Sequence, residues 1–209
     1  MKLLIFGSTG KTGRELVNQA LDAGYEVTAF ARNPQKMEIR HDRLTVVKGD
    51  ITDADSINVA VPGHDAVLSA LGSPGLAKST ELSDGTRRIV ASMESSGVKR
   101  LIFESTVGVG DSSSHATVFA RWFFFPVVIR NILADKEIQE RIIKESSLDW
   151  TIVRPGRLTN GPKRGIYREG DAISGTAVAT SISRADVAEF MLRQVTDNAY
   201  LHKCPAVSY

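Results

Sequence analysis

The sequence predicts an α/β protein with a doubly wound parallel sheet in a single domain. Three observations lead to this class. The 209 residues match the length of one large domain, short apolar segments alternate with amphipathic helical segments, and a glycine-rich turn directly follows the first apolar segment. Since no internal repeat or low-complexity linker divides the chain, we expect one Rossmann-like domain over residues 1–209.

The elements can be placed in order along the chain. Residues 3–6 form a continuous apolar run ended by Gly7, which is typical of a strand buried on both faces of a parallel sheet. Further strands are predicted at residues 26–31, 44–47, 66–69, 101–103 and 151–153, and helices at 12–23, near 53–60, 80–96 and 133–146, and at 184–195. Asp53 is predicted to be the N-cap of the helix near 53–60, and Ser183 can cap the last helix with Asp186 reaching back. The glycine-rich stretch 159–175 is the candidate insertion.

Composition excludes several classes of protein. Apolar residues make up 42% and charged residues 24%, which argues against disorder and coiled coils, and a net charge of +2 without charge runs gives no support for a nucleic-acid partner. The single cysteine, Cys204, excludes an internal disulfide, and no Cys/His spacing indicates a metal site. The first apolar run is too short for a signal peptide, and residues 118–129 are too short to span a membrane. We therefore expect a cytoplasmic protein, monomeric or dimeric.

A phosphate-binding loop is predicted immediately after the first strand. The glycines of its G-x-x-G-x-x-G pattern would let the backbone approach a dinucleotide pyrophosphate at the start of the first helix. The spacing is too short for the P-loop of nucleotide triphosphatases. The predicted cofactor-binding residues of this loop are Gly7, Ser8, Thr9, Gly10, Lys11, Thr12 and Gly13.

The end of the second strand indicates which coenzyme is preferred. It lacks the acidic residue that would bind the ribose 2′-hydroxyl of NAD, and it offers Arg32, with Lys36 one turn further on. A guanidinium can bind a 2′-phosphate through two parallel hydrogen bonds, so we expect NADP(H). After the third strand, Asp50 and Ile51 are candidates for contact with adenine, although Asp50 could instead form a turn.

These motifs resemble the atypical short-chain dehydrogenases/reductases of the NAD(P)H-binding, NmrA-like type, and within them the flavin reductase/biliverdin-IXβ reductase family. The resemblance rests also on the segments ALGS at 70–73, EST at 104–106 and VRPG at 153–156, and it extends over nearly the whole chain. It implies a cofactor contact at Leu71, Gly72 and Ser73, and a nicotinamide and substrate site beside Ser105, Thr106, Pro155 and Gly156.

Two departures from the family pattern bear on substrate choice. The reductases have Ser at the position of Thr106 and His at that of Arg157, so a hydroxyl is kept while an imidazole is replaced by a permanent cation. Arg157 could favour an acidic acceptor or be a surface residue. Substrate-side elements are expected near 105–135 and 155–182, including Trp122 and Phe123 of an aromatic block that could cover a planar acceptor or belong to the core or to a subunit contact.

The chain has no Tyr-x-x-x-Lys pair, which argues against ordinary alcohol oxidation. A conjugated acceptor such as a flavin, quinone or bilin can delocalise the charge that arrives with a hydride, so positioning suffices. Thr106 and Ser105 would then lie near the nicotinamide, and Lys136 would stabilise charge at the mouth of the site or be a solvated helical lysine. Two hypotheses follow: an NADPH-dependent reductase, or a redox sensor that binds NADP(H) without catalysis.

Overall fold

The computed structural model describes residues 1–72, 79–109, 130–170 and 180–209. Its main sheet is built from β1 (Lys2–Phe6), β2 (Glu26–Ala31), β3 (Leu44–Lys48), β4 (Ala66–Ser69), β5 (Arg100–Glu104), β6 (Asp149–Pro155), β8 (Arg168–Gly170) and β10 (Ala206–Ser208). Two further strands, β7 (Arg157–Thr159) and β9 (Ser181–Ser183), form a small parallel pair.

The strand order is β3-β2-β1-β4-β5-β6-β10-β8, and every pair is parallel except β10 with β8. This arrangement confirms the predicted Rossmann-like architecture. The order reverses between β1 and β4, so the loops that follow these two strands diverge and leave a crevice at the carboxyl edge of the sheet. The six predicted strands are all present. The short strands β7 to β10 were not predicted, and β8 lies inside the stretch taken as an insertion.

Helices cover both faces of the sheet. They are α1 (Lys11–Asp22), α2 (Ala54–Ala60), α3 (Glu81–Ser96), α4 (Arg130–Lys144) and α5 (Arg184–Arg193). Helices α1 and α5 pack together over one apolar cluster, while α2, α3 and α4 cover a second cluster on the opposite face. The burial of both faces explains why the central strands are apolar throughout their length. No helix in the described ranges is long and apolar enough to cross a membrane.

The two predicted helix caps are observed, whereas α4 begins at Arg130, three residues before its predicted start. The Asp53 side chain accepts a hydrogen bond from the amide of Asp55, which makes it the N-cap of α2. The Ser183 hydroxyl caps α5 by accepting from the amide of Asp186 at 3.0 Å. The Asp186 carboxylate reaches back to that hydroxyl at 2.8 Å and also accepts from the amides of Arg164 and Gly165. It therefore holds the 160s segment against α5.

The turn after β1 depends on close backbone contacts. Gly7 has a φ of +73°, a left-handed conformation that favours glycine, and a Cβ there would lie 2.5 Å from the carbonyl oxygen of Ala70. A Cβ on Gly13 would lie 2.1 Å from the carbonyl oxygen of Gly7. Helix α1 can therefore start directly behind β1 only because both positions lack a side chain.

We expect Gly13→Ala to destabilise the protein by about 1–3 kcal/mol, because the added methyl group must push the turn away from α1. Gly161→Ala is the matched control, since its Cβ would have no neighbour closer than 3.8 Å and its φ is not positive. Urea unfolding of both variants measures the difference. A Gly13→Ala variant as stable as Gly161→Ala would contradict this account of the turn.

Candidate functional site

A cavity of about 230 Å³ lies at the crevice between the ends of β1 and β4. The loop after β1, the end of β2 and the segment after β4 form its walls. Of the residues predicted to bind cofactor, it is lined by Gly7, Thr9, Gly10, Arg32, Lys36, Ile51, Leu71 and Gly72. It is also lined by Phe30, Ala31, Asn33, Gly49, Ala70, Glu81 and Leu82. The structure thus brings together, in one cavity, residues from four predicted motifs.

The start of α1 suits an anion. Gly10 is its N-cap residue and provides no side chain to satisfy the first amides of the helix. These amides carry the positive end of the helix dipole, next to a turn in which glycines leave the backbone exposed to the cavity. A diphosphate fits this cradle, whereas a Cβ at Gly7 or Gly13 would collide with backbone. Lys11 is exposed on the first turn of the helix.

Two hydroxyls of the loop are used by the protein itself. The Ser8 hydroxyl donates to the carbonyl of Phe30 at 2.9 Å, and Ser8 is fully buried. The Thr12 hydroxyl donates to the carboxylate of Glu104 at 3.2 Å. These side chains fasten the loop to β2 and β5. What Ser8 and Thr12 can offer a ligand is therefore their backbone.

The cationic end of the cavity is formed by Arg32 and Lys36. The segment that carries Lys36 is tied to α1, because Arg14 donates to the Lys36 carbonyl at 2.8 Å and to the Thr9 carbonyl at 3.3 Å. The Arg32 guanidinium forms an ion pair with Glu81 of α3, with a separation of 3.4 Å. Since both residues line the cavity, this ion pair belongs to the site itself.

Asp50 forms the turn that was the alternative to adenine contact. Its Oδ1 accepts from both the amide and the hydroxyl of Thr52 at 2.9 Å. Burial acts to raise the pKa of Asp50, but these hydrogen bonds and the charge of Arg32 outweigh it and the pKa falls below its usual value. Asp50 is absent from the cavity lining, while its neighbour Ile51 is part of it.

Lys136 is buried, with 7% of its surface exposed, so the alternative of a solvated helical lysine does not hold. Its Nζ donates to the carbonyls of Leu71 and Glu104 at 3.0 and 2.9 Å and lies 4.6 Å from the centre of the Phe103 ring. Burial lowers the pKa of Lys136 to about 8, although Glu104, Asp135 and Glu140 oppose the change. An ammonium whose pKa is lowered by burial thus donates a hydrogen bond to Leu71, which lines the cavity.

Glu104 is a buried carboxyl group at the carboxyl end of β5. Burial raises its pKa, and the charge of Lys136, the hydrogen bond from Thr12 and the charge of Arg184 oppose the rise only in part. Its backbone carbonyl binds Lys136 and its side chain binds the start of α1. Glu104 therefore connects the phosphate loop to the buried lysine.

Ser105 and Thr106, the predicted catalytic hydroxyls, have different surroundings. The Ser105 hydroxyl is buried and donates to Glu140 at 2.7 Å. Glu140 in turn forms a bidentate, almost fully buried ion pair with Arg154, at 2.6 and 3.0 Å. Thr106 is half-buried, and within the described ranges its hydroxyl has no hydrogen-bond partner. Thr106 is therefore the hydroxyl of the two that remains available to a ligand.

The remaining predicted residues lie along the ends of β5 and β6. Pro155 and Gly156 are buried, and Gly156 donates its amide to Val207 of β10 at 3.0 Å. Arg157 is exposed on β7. None of the three lines the cavity described above. Ser73, Trp122 and Phe123 lie outside the described residues.

Sequence reasoning missed Glu81, Glu104, Glu140 and Arg154. Glu104 had a readable signal, because a carboxylate that ends an otherwise apolar strand falls at the ligand-binding edge of a parallel sheet. The ion pair of Glu140 with Arg154 joins residues from α4 and β6. Neither that pairing nor the approach of Glu81 to Arg32 can be read from sequence spacing, since both depend on how distant elements pack.

Comparison with known proteins identifies the family. A family model described as NAD(P)H-binding matches residues 7–198, nearly the whole chain. The chain belongs to this NAD(P)H-binding family. The resemblance inferred from the motifs is thereby confirmed, and the glycine-rich turn lies at the start of the matched region.

Two relatives of this NAD(P)H-binding protein span most of its sequence. An uncharacterized chloroplastic protein of Arabidopsis thaliana is 31% identical over 90% of this chain and 69% of its own length. A (4-alkanoyl-5-oxo-2,5-dihydrofuran-3-yl)methyl phosphate reductase of Streptomyces griseus is 26% identical over 99% of this chain and 67% of its own. The second relative is a reductase by its name.

Solved structures agree on the fold. The oxidoreductase ylbE of Lactococcus lactis superimposes with a TM-score of 0.86 at 24% identity, covering 100% of this chain and 90% of its own. The anaerobilin reductase ChuY of Escherichia coli gives 0.83 at 22% identity, covering 100% and 97%. A short-chain dehydrogenase/reductase of Veillonella parvula in complex with NADP gives 0.80 at 20% identity, covering 100% and 94%.

We expect Glu140→Ala to cost about 3–5 kcal/mol of stability, because it removes the buried carboxylate that accepts two hydrogen bonds from the Arg154 guanidinium. The double variant Glu140→Leu/Arg154→Met should recover most of this loss, since neither charge is then buried. Arg87→Ala, which removes an exposed ion pair with Asp84, should change stability by less than about 1 kcal/mol. Urea unfolding decides, and a small loss for Glu140→Ala alone would refute this account of the buried pair.

Proposed function

We propose that the protein is an NADPH-dependent reductase that transfers hydride to a planar conjugated acceptor such as a flavin, a quinone or a bilin. One observation carries the proposal. The cavity is lined by two exposed cations, Arg32 and Lys36, and by Leu71, whose carbonyl accepts a hydrogen bond from the buried ammonium of Lys136. The two exposed cations suit the phosphates of a coenzyme, and the buried ammonium suits negative charge that develops during reduction.

The preference for NADPH follows from the cationic end. Arg32 and Lys36 would bind the 2′-phosphate, the start of α1 would bind the pyrophosphate, and Ile51 and Leu82 provide apolar surface for adenine. No carboxylate at the end of β2 is placed to accept from a ribose hydroxyl, because residues 31–34 are Ala, Arg, Asn and Pro. The coenzyme, when bound, supplies the hydride.

Lys136 is the group that we assign to the stabilisation of negative charge on the acceptor. Its ammonium is held by two carbonyls and shielded from solvent, so its charge is little screened. The four tyrosines of the chain lie elsewhere. Tyr167 donates to Glu189 and Tyr209 to Asp186, while Tyr25 and Tyr200 pack against the apolar cluster under α1 and α5. A conjugated acceptor fits a site with a cation and without a phenol.

Acceptor recognition would come from residues at the ends of β5 and β6. Thr106 has a hydroxyl available for hydrogen bonding, and Ser105 is held next to it by Glu140. Arg157 on β7 is exposed and could bind an acidic substituent. The reductase names of a Streptomyces relative and of the ChuY structure support this class of reaction.

We expect Arg32→Ala to raise the dissociation constant of NADPH about tenfold or more, because it removes a charge-assisted contact to the 2′-phosphate. The dissociation constant of NADH should change less than about twofold. Titration calorimetry with both coenzymes measures the two values, with Arg87→Ala as a control that removes an exposed arginine away from the cavity. Equal losses for the two coenzymes would remove the assignment of Arg32.

Reductase activity is tested by following NADPH absorbance with FMN, a quinone and biliverdin in turn. For an acceptor that is turned over, kcat/KM should fall as the pH rises through about 8, since the Lys136 ammonium is lost there. Lys136→Met should lower kcat by about a hundredfold and abolish this fall.

Lys99→Met is the matched control for Lys136→Met, because Lys99 is exposed at the amino end of β5. It should keep both the rate and the pH profile of the unsubstituted protein. Thermal unfolding checks that Lys136→Met remains folded. NADPH binding without turnover of any of the three acceptors would favour the redox sensor over the reductase.

A further inference from the structure

The cavity contains one carboxylate directly opposed to the cation that we assign to NADPH. Glu81 is the first residue of α3, and its Oε1 lies 3.4 Å from Nη1 of Arg32 at the end of β2. The ion pair joins the two sides of the crevice, and both side chains line the cavity. The side chain of Glu81 is 36% exposed and that of Arg32 64%, so a ligand entering the cavity can reach the pair.

We infer that Glu81 is a specificity-determining residue, which limits the preference for NADPH over NADH by competing with the 2′-phosphate for Arg32. The inference rests on the proposed function, in which Arg32 binds that phosphate. A guanidinium held by a carboxylate must exchange that partner for the phosphate, which reduces the net gain in free energy when the phosphate binds. NADH carries no 2′-phosphate and leaves the ion pair in place. Glu81 therefore weakens NADPH binding selectively.

The geometry of the pair supports exchange. Glu81 makes a single contact with one guanidinium nitrogen, at a distance longer than a strong charge-assisted hydrogen bond. A phosphate can use two nitrogens of the same group at once. Asp50 also lowers the positive potential at Arg32, but Thr52 holds its carboxylate and it does not line the cavity. Glu81 is the acidic residue of the cavity lining whose charge the 2′-phosphate would meet.

The position of Glu81 at the start of α3 offers a different explanation for why a carboxylate occurs there. A carboxylate in the first turn of α3 interacts favourably with the helix dipole whether or not it has any role in the cavity. Asp84 lies in the same first turn and pairs with the exposed Arg87, outside the cavity. The substitutions Glu81→Gln and Asp84→Asn each remove one negative charge from the start of α3. Only the first of the two changes a residue that lines the cavity, so a comparison of the two variants separates the two explanations.

The experiment is titration calorimetry of NADPH and NADH into the unsubstituted protein, Glu81→Gln and Asp84→Asn. We expect Glu81→Gln to tighten NADPH binding about two- to fivefold, the range of an exposed ion pair converted to a ratio of constants. NADH binding should stay within about 1.5-fold, and Asp84→Asn should leave both coenzymes unchanged within the same limit. Raising the salt concentration should reduce the gain for NADPH.

Arg32→Ala provides the second arm. If Glu81 acts through Arg32, adding Glu81→Gln to Arg32→Ala should give no further tightening of NADPH, because the two residues then form a coupled pair. Tightening that survives in the double variant would overturn the exchange mechanism. Unchanged NADPH binding in Glu81→Gln, an equal change for both coenzymes, or the same gain in Asp84→Asn would each overturn the inference.

Failure of the proposed function is seen separately. If the unsubstituted protein binds neither coenzyme, the reductase proposal fails and this inference fails with it. If it binds NADPH and Arg32→Ala weakens that binding selectively, while Glu81→Gln has no selective effect, only the role of Glu81 is refuted.

Discussion

The close packing of three backbone segments around Gly7 is the constraint on which the rest of the structure depends. The turn after β1, the end of β4 and the start of α1 approach so closely that a single Cβ at Gly7 or Gly13 would overlap a carbonyl. This packing brings the uncapped start of α1 to the point where the strand order reverses. The cavity is therefore a consequence of the backbone, and side chains only adjust what it binds.

Four ionisable side chains, Lys136, Glu104, Glu140 and Arg154, are buried near this backbone, and their burial costs desolvation free energy. Burial moves the pKa values of Lys136 and Glu104 toward their neutral forms, while the hydrogen bonds and charge of Arg154 outweigh burial and lower the pKa of Glu140 below its usual value. The second arrangement is typical of a structural ion pair, because every charge has a close partner. The first arrangement places an ammonium that donates to two backbone carbonyls beside a carboxyl group whose own pKa is raised, and such an arrangement is expected where charge changes during a reaction.

The features that could be predicted from the sequence are those that depend on interactions between residues close together in the chain. The strand before Gly7, the helix after it and the caps at Asp53 and Ser183 depend on neighbouring residues, and the structure contains them as predicted. Strands of three residues, such as β8 and β10, carry too little pattern to be recognised and exist because they pair with each other and with β6. The burial of Lys136 was equally invisible, since an isolated helical lysine has the same sequence signal whether it faces solvent or a strand end.

The two cations that the proposed function assigns to the site, Arg32 and Lys136, differ in how strongly their charges are screened, and this difference suits them to different roles. Arg32 is largely exposed, so its attraction for a phosphate is moderated by water, by salt and by Glu81. Because this contact is weakened by screening, it can favour one coenzyme over another without preventing that coenzyme from dissociating. Lys136 is enclosed among backbone carbonyls and the Phe103 ring, where a charge acts at lower dielectric and holds a fixed position. A preorganised charge of this kind is suited to an acceptor that becomes anionic, since little reorganisation is needed when the charge appears. Under the proposed function, discrimination between coenzymes would therefore fall to the exposed Arg32, and stabilisation of the reduced acceptor to the buried Lys136.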